Sequence, residues 1–207
     1  LKRNGIAEIV LLLGYLPDMI MDHFGDGADF GVKIRYSVGT VEDETGTRVR
    51  NARDMLDDVF LLMYCDNYWP LDLADMERHY RRSGLLGMMT VYNNADGKGE
   101  YGFRNNVELD TEGRVLAYGS APGSAAIQGV DIGFFILNRE TVSLLPSHNC
   151  SIQNGLLPQL IEKGQLAAYR TDRHYYTITA PGLLKNIERI LEGEAARPTP
   201  VAGQGGS

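Results

Sequence analysis

Asp58-Val59-Phe60-Leu61-Leu62-Met63-Tyr64-Cys65-Asp66-Asn67-Tyr68-Trp69-Pro70-Leu71-Asp72-Leu73 is the stretch on which the reading of this chain turns. The apolar run Val59 to Tyr64 has the length and composition of a buried strand, and it stops at a carboxylate. Turn-forming and aromatic residues follow, and a helical pattern begins near Asp72. In an open α/β sheet, ligands bind at the carboxyl ends of the strands. A carboxylate there is costly to desolvate unless a metal ion or a partner compensates it. Asp66 is therefore the first candidate for function. The competing reading is an aspartate that caps the next turn or helix.

Similar segments lie on both sides of this one. Ile6 to Leu13 is an apolar run between Gly5 and Gly14 and reads as a strand buried on both faces. Leu16 to Phe24 reads as a short helix with Pro17 near its start, and Val32 to Tyr36 alternates as a strand does. Thr47 to Leu56 and Ala74 to Arg82 are expected helices, and Leu85 to Tyr92 an expected strand. Asn93 to Gly102 is polar and Gly-rich. Asn106 to Leu109 and Val115 to Tyr118 then bracket Asp110-Thr111-Glu112-Gly113, a hairpin signal. Ser120 to Ala126 is a loop of small residues, and Val130 to Leu137 is a further buried strand. Arg139 to Leu145 and Ser151 to Lys163 read as helices, the second kinked or ended by Pro158. Leu166 to Thr171 and His174 to Ile178 are short strands, and Pro181 to Leu191 is a final helix. The alternation predicts a layered α/β fold, a mixed but mainly parallel sheet with an inserted hairpin.

Composition sets the outer bounds. A chain of 207 residues, 43% hydrophobic and 23% charged, can bury one substantial core. A formal charge of −7 argues against a nucleic-acid surface, which needs a basic excess or patch. Arg78, Arg81 and Arg82 cluster toward the end of an expected helix, where they read as a solvated face favoured by the helix dipole. Cys65 and Cys150 lack metal-ligand spacing and read as reduced thiols, which points to a cytoplasmic setting. No run approaches the length of a membrane span, and the N-terminus does not read as a signal peptide. Leu1 to Gly5 resembles the end of a helix with its terminal Gly, so the chain is expected to begin within a domain.

Five segments, in order, resemble the sugar-1-phosphate nucleotidyltransferases. Ile9 to Pro17 is similar to that family's second strand and following turn, and Phe24 to Val32 to its "FGDGSxFGV" passage. Glu44-Thr45-Gly46-Thr47, with Ala52 downstream, resembles "EPLGTAGAL", and Phe60 to Asp66 resembles "FLVLNGD". Asn106 to Asp110 and Val115 to Ala117 resemble a sugar-side hairpin. Within the family, Tyr64 to Tyr68, Val130 to Gly133 and His174 to Ile178 look closest to heptose-1-phosphate guanylyltransferases, then to the mannose-1-phosphate enzymes.

The resemblance implies a three-layer αβα, Rossmann-like domain over residues 1–192 and a flexible tail or linker over 193–207. It implies transfer of a nucleotidyl group, GTP favoured, onto a sugar 1-phosphate, giving GDP-heptose or GDP-mannose and pyrophosphate. Such chemistry rests on positioning and on neutralising phosphate charge, normally with Mg²⁺. By position, Asp66 becomes the metal-binding catalytic aspartate, Gly46 and Thr47 lie along the nucleotide base, and Asn106, Asp131 and Gly133 face the sugar. Each has a plainer reading: a turn Gly before a helix, an N-cap Thr, a polar hairpin residue, a strand Asp with a structural partner. Tyr68 and Trp69 are stacking or packing aromatics, and His174 is a ligand-side candidate. No nucleic-acid or membrane partner is implied, and self-association stays open.

Three departures bear on activity. The family's "GGxGTRLxPLT" phosphate loop has no counterpart, and Arg48 does not take its place. Thr177 stands where much of the family has the aspartate of "WxDIGTP". Gly119 to Pro122 stands where "EKP" is usual. The chain alone is therefore expected to be inactive. Two alternatives follow: a regulatory subunit that binds a nucleotide sugar without turnover, and a glycosyltransferase of the related nucleotide-sugar fold.

Overall fold

Twelve residues, Ile127–Asn138, form one long strand that organises the molecule. The computed structural model describes residues 1–94, 105–119, 127–178, 184, 187–189 and 191–192. The expected loop at 120–126, part of the polar segment at 93–102, the tail, and most of the last helix lie outside these residues.

The described strands are β1 (Glu8–Leu13), β2 (Lys33–Val38), β3 (Val59–Met63), β4 (Asn67–Tyr68), β5 (Gly87–Tyr92), β6 (Val107–Leu109), β7 (Val115–Tyr118), β8 (Ile127–Asn138), β9 (Leu166–Thr171) and β10 (Tyr176–Thr177). The α-helices are α1 (Pro17–Phe24), α2 (Thr45–Asn51), α3 (Leu73–Ser83) and α4 (Leu157–Glu162). A six-stranded sheet runs β7-β6-β8-β5-β9, with β3 paired to β8 as well. β5 and β9 are parallel. β8 runs antiparallel to β3, β5 and β6. Thus β3, β5 and β9 share one direction, as the alternating helices and strands imply, but an opposed strand is threaded between β3 and β5. The sheet is mixed, and most of its ladders are antiparallel, because each ladder with β8 reverses direction.

The layers are visible in how side chains alternate. Phe135 and Leu137 of β8, with Met89 and Val91 of β5, enter a cluster under α2 and α4. Val130, Ile132, Phe134 and Ile136, with Met88, enter a second cluster with Met76 and Tyr80 of α3 and Trp69. Successive strand residues point to opposite faces, so one strand serves both cores. That is the αβα arrangement expected.

Local chemistry explains most of the elements. Asp72 caps α3 by accepting a hydrogen bond from Asp75 N at 3.0 Å, and Gly84 ends it in the left-handed region. Met76 and Tyr80, four residues apart, face the sheet. In the β6–β7 hairpin, Asp110 Oδ1 accepts from the N–H groups of Glu112 and Arg114, each at 2.8 Å, while Gly113 takes φ +82°. Ahead of α4, Ile152–Leu156 winds as a π-helical turn, and Pro158 sits in the first turn of α4. Pro158 therefore starts a helix rather than kinking one, a position where its missing N–H costs nothing. Arg139–Leu144 is a 3₁₀ turn instead of the expected α-helix.

β1 departs from expectation. Only Leu13 is buried in it, and its other residues are half-buried or exposed. β1 pairs with β2 in a separate parallel two-stranded sheet, and among the described residues no strand lies on its other edge. Among the described residues β3 likewise pairs only with β8, and Val59 remains 45% exposed. The side chains of a strand are buried by what packs on its two faces, and that cover is incomplete at β1.

Phe135 is fully buried in the middle strand and meets the Tyr64 ring edge-on at 6.2 Å. Phe135→Ala is expected to cost about 3–5 kcal/mol, read from urea or guanidinium unfolding.

Candidate functional site

The ladder between β5 and β8 slips once. Met89 pairs with Phe135 but Val91 pairs with Asp131, so β8 carries extra residues around Ile132 and Gly133. Such bulges re-aim side chains and are common beside functional sites. Gly133 takes φ +79°, and a Cβ there would meet the Tyr64 ring at 2.6 Å. Only glycine fits, on both counts.

The bulge places Asp131 in a polar cluster beyond the end of β3. Asp131 Oδ2 accepts from the Tyr118 hydroxyl at 3.1 Å, and Oδ1 accepts from Gly133 N at 2.9 Å. Asp131 N donates to Asn106 Oδ1 at 2.9 Å, so Asn106 ties the hairpin to the bulge. Burial pushes the Asp131 carboxyl from its usual 3.8 up to about 6, against the pull of its two hydrogen bonds. Burial likewise raises the Tyr118 phenol, with Asp131 adding to the shift.

Tyr64 forms the floor between the two sides of this cluster. Its hydroxyl accepts from Gln153 Nε2 at 2.9 Å and is also hydrogen-bonded to Thr45, while its N–H donates to Gly133 O at 3.1 Å. Burial raises its pKa to about 12. Thr45 Oγ1 also accepts from Ile152 N at 3.0 Å, which fastens α2 to the π-helical turn.

Gly46 and Thr47 lie in the first turn of α2, both buried. Thr47 is not an N-cap: its N–H donates to Cys150 O at 3.0 Å and its Oγ1 accepts from Cys150 N at 3.1 Å. A Cβ on Gly46 would meet Cys150 O at 2.8 Å, so the chain at Cys150 requires the glycine. Arg48 donates to the carbonyls of Asp43 and Thr40 at 2.9 and 2.8 Å.

Asp66 stands exposed just past β3. Its carboxylate accepts no hydrogen bond and joins no ion pair among the described residues, and the cap of α3 is Asp72 instead. β4 and β10 pair antiparallel, Asn67 opposite Thr177 and Tyr68 opposite Tyr176. Ile178 N donates to Asp66 O at 2.9 Å, and Thr177 Oγ1 donates to the same oxygen at 3.3 Å. The two positions singled out in the sequence, Asp66 and Thr177, are thus neighbours. The rings of Tyr68 and Tyr176 stack at 6.2 Å, and His174 meets Tyr176 at 4.6 Å. Trp69 is 4% exposed and packs on Phe134 and Tyr169, so it belongs to the core.

Among the described residues no three His, Cys, Asp or Glu side chains gather into a metal cage. Mg²⁺ seldom needs one: it keeps water and substrate phosphate oxygens and takes one or two carboxylates. The uncommitted, exposed Asp66 fits that mode. Tyr64, Tyr118 and Gln153 were not singled out in the sequence. An aromatic ending an aliphatic strand was the signal for Tyr64; nothing local marks the other two.

The strands and flanking hairpin form a mixed α/β fold with a central sheet. Solved structures share it. HddC from Yersinia pseudotuberculosis complexed with GMP-PN superposes with a TM-score of 0.74 at 20% identity, over 91% of this chain and 81% of that one. A putative glucose-1-phosphate thymidylyltransferase from Bacillus anthracis gives a TM-score of 0.74 at 15% identity, over 91% and 78%. Residues 1–177 match the nucleotidyl transferase family, and the chain belongs to it. A probable glucose-1-phosphate cytidylyltransferase from Bacillus subtilis is 26% identical over 208 residues, 90% of this chain and 77% of that protein. Mannose-1-phosphate guanyltransferase from Saccharomyces cerevisiae is 23% identical over 188 residues, 87% of this chain but 51% of that protein. The chain spans about half the length of the yeast enzymes it matches.

Because folding raises the Asp131 pKa to about 6, the folded state holds that proton more tightly than the unfolded chain. Stability contributed by this group is therefore lost as pH rises from about 4 through about 6. Asp131→Asn is expected to abolish that loss. Its melting temperature relative to the parent should rise between pH 4 and pH 7, as read by calorimetry.

Proposed function

We propose that this chain carries the nucleotide- and sugar-binding core of a sugar-1-phosphate nucleotidyltransferase, with GTP favoured and a mannose or heptose 1-phosphate as acceptor. The observation that carries the reading is the free Asp66 carboxylate at the strand end, joined through β4 and β10 to Thr177 and set beside the Asp131 cluster. Family membership over residues 1–177 supports the reaction class; the mannose-1-phosphate guanyltransferase relatives support guanine as the base, beside a cytidylyltransferase relative.

In this reading the sugar phosphate oxygen attacks the α-phosphorus of the triphosphate in line, and pyrophosphate leaves. Asp66 would hold Mg²⁺ together with substrate phosphate oxygens; the ion supplies neutralisation of phosphate charge. Gly46 and Thr47 keep α2 close against Cys150 and set the wall along the nucleotide base. Asp131 and Asn106 offer acceptors to sugar hydroxyls, and Gly133 admits the bulge that aims them. Positioning carries the chemistry, because two highly charged reactants must be brought together before either bond changes.

A second reading, a nucleotide-sugar-binding subunit without turnover, draws on one observation. The hydroxyl of Thr177 donates to the Asp66 carbonyl and brings no second carboxylate.

Pyrophosphate release by the complete protein, supplied with GTP, Mg²⁺ and mannose or heptose 1-phosphate, separates the two. Turnover is expected, with Asp66→Asn lowering kcat at least about a hundredfold. Failure to release pyrophosphate with any sugar 1-phosphate would sink the enzyme reading; calorimetric binding of GDP-mannose without release would establish the second.

A further inference from the structure

Beside β4 the structure holds an open cavity of about 300 Å³ that the candidate site does not use. Part of its wall is apolar. Met63, Trp69 and Phe134 belong to the cluster shared with α3, whereas Tyr64 belongs to the cluster under α2. Strand alternation thus puts the Met63 wall and the Tyr64 ring on opposite faces of the sheet. Apolar walls with a few polar groups at this volume are what small-molecule pockets show.

Two guanidinium groups from distant parts of the chain line the cavity, Arg3 and Arg173. Arg3 sits in the turn Lys2–Asn4, and Asn4 ties that turn to α3 by accepting from Leu73 N at 3.4 Å. Arg173 is fastened from two sides. Trp69 Nε1 donates to its carbonyl at 3.2 Å, and its own Nη1 donates to Pro70 O at 2.7 Å. Among the described residues neither guanidinium meets a carboxylate, and the Arg3 side chain makes no hydrogen bond. Of the acids next in sequence to lining residues, Asp72 caps α3, Asp172 accepts from Asn93, and Asp66 pairs with neither arginine. Two uncompensated cations at one cavity suit an anion, and the fork of Arg matches phosphate oxygens in particular.

We propose that this cavity is a second binding site, for a nucleoside monophosphate, with Arg3 and Arg173 on the phosphate and the base against Met63, Trp69 and Phe134. A bare phosphate would leave the apolar wall uncovered, and a sugar phosphate would set hydroxyls against it at a cost in desolvation. The site does not depend on the nucleotidyltransferase reading, since it uses none of the groups assigned to that cleft. It meets the cleft at one point: Asn67 lines the cavity, follows Asp66, and pairs with Thr177 in the β4–β10 ladder. A ligand there bears on the same short ladder that carries Asp66.

Trp69 is the single tryptophan of the chain, so its fluorescence reads this cavity. The test is a titration of the full chain with GMP, guanosine and inorganic phosphate, with no divalent ion present. GMP is expected to shift the emission saturably, with guanosine and phosphate each at least about tenfold weaker. Arg3→Gln and Arg173→Gln should each weaken GMP about tenfold at unchanged melting temperature. Arg3→Gln removes no hydrogen bond of the fold, so it reads the lost charge. Asp66→Asn should leave GMP binding as it is. Phosphate matching GMP would mean an adventitious ion only. That result, the lack of a saturable shift, GMP binding unchanged in the arginine variants, or its loss in Asp66→Asn would each overturn the proposal.

Discussion

Everything at the candidate site depends on the slip in register between β5 and β8. A regular ladder through Val130 to Leu137 would send every second residue to the same face without interruption. The ladder passes from Met89–Phe135 to Val91–Asp131, so β8 takes up two extra residues while Val130, Ile132, Phe134 and Ile136 keep one face. That slip puts a carboxylate into a strand otherwise packed with Val, Ile and Phe, and gives it Tyr118 and Gly133 N–H as partners. The absent Cβ of Gly133 leaves the space that the Tyr64 ring fills. Below the slip, β8 is ordinary core, alternating between two apolar clusters. The rigid half of the strand holds the irregular half in place.

Around this strand, the same few contacts carry both stability and chemistry. Thr45 and Thr47 bind the chain at Cys150 to Ile152, and Thr45 also reaches Tyr64. Asn106 fixes the hairpin to Asp131 N and thereby sets the height of the carboxylate. The short β4–β10 ladder delivers Thr177 to Asp66. Asp66 is the exception, since its side chain is spent on nothing among the described residues. Among the described residues, Thr90 Oγ1, Arg35 Nε and Arg48 Nη1 are buried without a hydrogen-bond partner, whereas the carboxylate of Asp66 is exposed at the strand end.

Much of this was legible in the sequence, for reasons that are local. β3, α3 and the hairpin follow from an apolar run, a capping Asp with i, i+4 apolar residues, and an Asp-x-x-Gly turn. The family segments located Asp66, Thr177 and Asp131, and the fold brings the first two together. What the sequence hid is non-local. Nothing in Val130 to Leu137 says that the strand runs opposite to β3 and β5, because direction is set by the path of the chain between elements. The burial expected for β1 failed because burial depends on what other elements pack against its two faces. Gly46 looked like a site for close ligand approach, and the group that approaches is the Cys150 carbonyl. Tyr118 and Gln153 gain meaning only from what they touch.

The proposed function comes down to one claim, that a nucleotide sugar binds with its diphosphate at Asp66 and its sugar against Asp131. A crystal structure of the protein soaked with GDP-mannose and Mg²⁺ tests it directly. The account predicts the diphosphate at Asp66, with the sugar ring within hydrogen-bond distance of Asp131 or Asn106. Ligand bound only on the opposite, α3 face of the sheet, or a cleft left empty at saturating ligand, would contradict it.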